Sequence, residues 1–70
     1  MKLSGHWFCE RCDDVVHLVR AAPAIVESPA QCPICHRRTA IWISYRPKPV
    51  SDEIARQWFA RIRETIAGAP

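Results

Sequence analysis

Apolar positions along the chain change rhythm near residue 50. Residues 39–45 (TAIWISY) alternate with period two, which predicts a strand with Thr39, Ile41, Ile43 and Tyr45 on one face and Ala40, Trp42 and Ser44 on the other. Both faces are expected to be covered. Upstream, Trp7 and Phe8 lead into Cys9 as a short strand, and residues 15–20 (VVHLVR) are β-branched and strand-like, so the two segments should form a first hairpin. Residues 21–31 carry Pro23 and Pro29, which exclude a central strand or helix. They predict a loop with Ile25 and Val26 tucked beneath it.

Residues 47–51, with Pro47 and Pro49, form a linker, after which the apolar period becomes that of a helix running from about Asp52 to Ala67. Ser51 is a good N-cap, and Asp52 and Glu53 suit the positive end of the helix. Gly68 fits a C-terminal stop, with Pro70 just beyond it. On the helical wheel Ile54, Ala55, Trp58, Phe59, Ile62 and Ile66 fall within an arc of roughly 140°. Ile54, Trp58, Ile62 and Ile66 recur at every fourth position, so this arc must be covered by the chain's own sheet or by a dimer or receptor interface. Docking on the sheet is the favoured reading. Trp58 and Phe59 differ by roughly 100° on the wheel, so one of them is a candidate interface anchor.

Length makes this pattern marginal on its own. A chain of 70 residues is expected to be a single domain, and at this size only about 60% of the unfolded surface is buried, so a staple is usually needed. Four cysteines are available, as Cys9-x₂-Cys12 and Cys32-x₂-Cys35, with nineteen residues between the pairs. That is the spacing of a zinc site, in which two tight turns each present two sulfurs to one ion. No secretory leader is apparent and no apolar run reaches the length of a membrane span, so a soluble, cytoplasmic chain is expected, with reduced thiols.

The motifs F-C-E-R-C-D and C-P-I-C-H resemble those of the zinc ribbon family over about residues 6–46. The resemblance implies two knuckles at the ends of β-hairpins sharing one structural Zn²⁺ on Cys9, Cys12, Cys32 and Cys35. With the C-terminal helix added, the expected class is a small metal-stabilised α+β fold. Ribbons commonly place glycine directly after the second cysteine of each knuckle, where this chain has Asp13 and His36. Asp and His are among the non-glycine residues enriched at positive φ, so both turns should still form. Other uses of the thiols remain open: a rubredoxin-like iron site, redox dithiols or disulfides, or a Cys₃His site that recruits His36. His6 is expected on the entering strand and His17 on an exposed strand face.

Charge narrows the function only partly. The formal net charge is +3, but four thiolates and one Zn²⁺ bring the loaded chain to about +1. Residues 1–20 and residues 50–70 each balance three basic against three acidic side chains, which leaves the excess on Arg37, Arg38, Arg46 and Lys48. Those four could grip a phosphate or an acidic partner, or simply offset the charge of about −2 on a tetrathiolate zinc centre. Trp42 is either a stacking platform for a base or core. Only Gly5 and Gly68 occur, and neither a phosphate-binding glycine loop nor a nucleophile–base set can be assembled, so no enzyme is expected. The reading is a non-catalytic zinc-ribbon binding module that docks on a macromolecule, with a protein of the transcription or translation machinery slightly favoured. Direct nucleic-acid binding through residues 37–48 is the alternative, and a rubredoxin-like electron carrier the second. Oligomeric state stays open.

Overall fold

The strand that the apolar pattern under-reads is the one on which the fold is built. The computed structural model describes the backbone of residues 1–67 and the side chains of residues 1–65. The packing expected of Ile66 and the stop expected at Gly68 and Pro70 therefore lie outside the described residues. The elements are β1 (Lys2–Cys9), β2 (Asp14–Ala21), β3 (Ala40–Arg46) and α1 (Asp52–Ala67). They make a three-stranded antiparallel sheet of order β2-β1-β3 followed by the helix. β1 begins at Lys2, well before the expected entry at Trp7, because it is the central strand: β2 supplies ladder partners from Lys2 and β3 from Ser4, for residues with little strand preference of their own.

The alternation expected for β3 breaks at one residue. His6 pairs with Ser44 but Trp7 pairs with Trp42, so Ile43 is an extra residue and the ladder shifts there. Ile41 and Ile43 stay together on the helix side, and Tyr45 crosses to the Trp42 side instead of joining them. Tyr45 then meets the Trp7 ring edge to face, with centroids 5.6 Å apart. Gly5 lies beneath both rings, and a Cβ there would overlap them.

Each face of the sheet has its own core. On one, Phe8, Val15 and Ile43 pack against Ala55 and Phe59 of α1. Ala55 has no side-chain bulk beyond Cβ and lets the helix approach, and the Phe59 ring stacks on Phe8 at 4.3 Å. The covered stripe therefore runs through Ala55 and Phe59. Trp58 and Ile62 are half-buried at its border, while Ile54 is exposed, a correction to the stripe read from the sequence.

On the other face Trp7, Val16, Ala30 and Ala40 pack with Cys9 and Cys32 beneath the loop of residues 21–31. Ile25 and Val26 do not tuck under this loop: they are 85% and 53% exposed. The loop is held through its backbone instead. The Trp7 indole N–H donates to the Glu27 carbonyl at 2.8 Å and the Tyr45 hydroxyl to the Ile25 carbonyl at 2.7 Å. Ala30 and Ala40 exchange backbone bonds of 2.8 and 3.1 Å.

The helix starts as its sequence dictates. Ser51 Oγ accepts from the Ile54 N–H at 3.3 Å, and the Ser51 carbonyl accepts from Ala55 at 3.0 Å. Asp52 pairs with His17 at 2.8 Å, and the Val50 N–H donates to Nε2 of His6 at 3.2 Å. His6 is fully buried, so as an acceptor it must be neutral. Burial lowers its pKa, and nearby His17 lowers it further. The unfolded chain thus binds a proton more readily than the folded one. His6 contributes stability that is complete above its ordinary value of about 6.5 and is lost as pH falls below it. Between about pH 7 and pH 5.5 the melting temperature should fall less for His6→Gln, whose amide oxygen can accept from Val50, than for the parent at equal metal loading. Equal slopes would show that His6 does not titrate on unfolding.

Candidate metal centre

Cys9 closes β1 and Cys12 lies in the turn to β2, while Cys32 and Cys35 lie in the turn that precedes β3. The central strand and the Ala30–Ala40 bridge bring these two turns together. Cys9 and Cys32 are buried, and Cys12 and Cys35 are half-buried. Their four Sγ atoms all lie within 4.8 Å of one another. The Cys9–Cys35 and Cys12–Cys32 separations are 3.7 and 3.9 Å. A tetrahedron with metal–sulfur bonds of about 2.3 Å has edges of about 3.8 Å, whereas a disulfide would need about 2.05 Å. The donor set fits a metal ion.

Backbone geometry explains why. Asp13 and His36, each directly after the second cysteine of its turn, adopt φ of 54° and 60°, as expected of residue types that tolerate this region. The turns then aim N–H groups at sulfur, Cys12 to Cys9 Sγ and Ile34 to Cys32 Sγ, both at 3.4 Å. His36 donates to the Cys32 carbonyl at 2.9 Å, and Cys32 to the Arg37 carbonyl at 2.8 Å, closing the second turn. His36 is exposed and is not one of the clustered donors, so the four sulfurs are the set present among the described residues.

Thr39 is a site residue that sequence reasoning missed. Its Oγ1 lies 3.1 Å from Cys9 Sγ and 3.7 Å from Cys35 Sγ, bridging the two turns. Nothing in the local sequence marks it, because the contact needs β3 to lie beside β1. Burial acts to raise the Cys9 thiol, but hydrogen bonds from Thr39, the Cys12 N–H and neighbouring thiols outweigh it and bring the pKa down to about 6. Cys12, hydrogen-bonded to Cys9, is pushed up to about 12. Cys35 is lowered chiefly by a backbone hydrogen bond at Arg37. Cys9 and Cys35 are thus eased towards the thiolate form that a metal ion requires, while Cys12 resists it.

The basic candidates are not brought together. Arg38 donates to the Pro29 carbonyl at 3.1 Å and lies 3.8 Å from Glu27. Arg46 lies over the Trp58 ring, 4.4 Å from its centroid. Arg37 and Lys48 are exposed. β3 separates the pair at the second turn from the pair at its far end by about 20 Å. Trp42 is half-buried and packs against the loop-side core, with Tyr45 at 5.7 Å.

Fold and cluster together define a small metal-stabilised α+β chain with a four-cysteine metal-binding site. Comparison with protein-family models, with curated proteins and with solved structures gave no match in any of the three. No helix among the described residues is long and apolar enough to cross a membrane.

Proposed function

We propose that Cys9, Cys12, Cys32 and Cys35 hold one Zn²⁺ as a structural ion, and that the chain is a non-catalytic, cytoplasmic module of the zinc ribbon type that docks on a protein, in the transcription or translation machinery. The observation that carries this reading is the sulfur tetrahedron. Four thiolates fill every position of a tetrahedral ion, which leaves none for a substrate or an activated water. A protein partner is favoured over nucleic acid because Arg38 and Arg46 already have partners within the chain, and because the loaded chain carries only about +1.

Titration of the zinc-loaded protein against mixed nucleic acids at several salt concentrations separates these partners. Any residual binding should be weak, with log affinity nearly flat against log salt. A steep negative slope would mean that several phosphates are neutralised and would make nucleic acid the partner.

A further inference from the structure

The two outer edges of the sheet are treated differently. That of β3 is occupied at the end nearest the cysteines: Ala40 exchanges bonds with Ala30, and the Trp42 N–H donates to Ser28 Oγ at 3.2 Å. That of β2 is closed at one end only. The pairing Cys9↔Asp14 to Lys2↔Ala21, together with the bond from Ala22 N–H to the Met1 carbonyl, turns the even-numbered residues of β2 inward. Val15, His17, Val19 and Ala21 therefore turn their N–H and C=O groups outward. Val15 N–H is satisfied by the Asp14 carboxylate, which Arg56 holds in place at 2.6 Å. His17, Val19 and Ala21 have no backbone partner on that side among the described residues. Val19 is 62% exposed, and the open stretch holds neither proline nor lysine, the usual guards of an edge.

We propose that this edge pairs with a second copy of the chain, β2 against β2, in an antiparallel arrangement about a two-fold axis at Val19. This register is singled out because the open stretch, residues 17–21, is symmetric about Val19. Val19 then exchanges both its bonds with Val19 of the other copy, and His17 exchanges both with Ala21, so the open backbone groups of His17, Val19 and Ala21 are all satisfied. The facing side chains are compatible: valine meets valine, His17 meets Ala21, Leu18 meets Arg20, and no like charges stand opposite one another. The copies, at about +1 each when loaded, repel little. Helix α1 starts beside His17 and runs towards the metal cluster, so the two helices lie over opposite halves of a continuous six-stranded sheet. The paired segment is short, so the dimer is weak and concentration-dependent.

Sedimentation of the full-length, metal-loaded chain from micromolar to millimolar concentration tests this, with zinc content measured on the same samples so that the metal reading stands or falls separately. A monomer–dimer equilibrium is expected, accompanied by slowed amide exchange at His17, Val19 and Ala21 as concentration rises. Val19→Lys places like charges face to face and should weaken association on the order of tenfold or more. Val19→Pro should abolish it while keeping the monomer fold, because the amide it removes points away from β1. A chain that stays monomeric throughout, or a dimer indifferent to Val19→Lys, would overturn the proposal.

Discussion

Cys9→Ser is expected to abolish cooperative unfolding, not merely to lower its midpoint by a few degrees. Cys9 is fully buried where β1 ends, and its sulfur is shared among the Cys35, Cys12 and Thr39 contacts. A single small core rarely supplies more than about 3–5 kcal/mol, whereas structural zinc contributes roughly 10–16 kcal/mol in comparable peptides. Losing one of four ligands removes more than the apolar cores can replace. His36→Asn is the matched control: it keeps a residue that tolerates positive φ in the same turn and should retain both metal and melting transition. Circular dichroism melts with metal analysis distinguish the two. A Cys9→Ser chain that keeps its ion and melts close to the parent would mean that Cys9 is not a ligand.

Phe59→Ala should be the most damaging substitution in the helix, at about 3–5 kcal/mol, because it removes the ring stacked on Phe8 and opens a cavity between helix and sheet. Ile54→Ala, on a side chain 41% exposed, should cost about 0.5 kcal/mol or less. Trp58→Ala should fall between them, since Trp58 is half-buried and is covered by Arg46. Denaturant titration of the three variants ranks them directly. If Ile54→Ala proved the costliest, the helix would be rotated from the orientation described.

These contrasts show where sequence was a sufficient guide. The cysteine cluster was legible because two residues between thiols is a local constraint, and the turn conformations followed from the tolerance of Asp13 and His36 for positive φ. The helix start was legible for the same reason, with Ser51 and its first-turn acids adjacent in the chain. Features set by distant partners were not. The bulge at Ile43 appears only when β3 is laid against β1, and it moves Tyr45 to the other face. The apolar arc of the helix was broad enough to dock in more than one rotation, and the small side chain of Ala55, more than the stripe of large ones, decided which. Hydrophobicity alone places Ile25 and Val26 in the interior, yet their loop is anchored by its carbonyls on Trp7 and Tyr45. Whether zinc or iron fills the cluster is not encoded in the spacing, since both ions accept four thiolates.

Native mass spectrometry of the protein purified from cells supplied with both zinc and iron tests the central claim most directly. The account predicts a chain carrying one zinc ion, with all four thiols unalkylated until a chelator removes the metal and the melting transition disappears with it. A metal-free, disulfide-bonded chain with an unchanged melting transition, or a stoichiometric iron adduct, would contradict it.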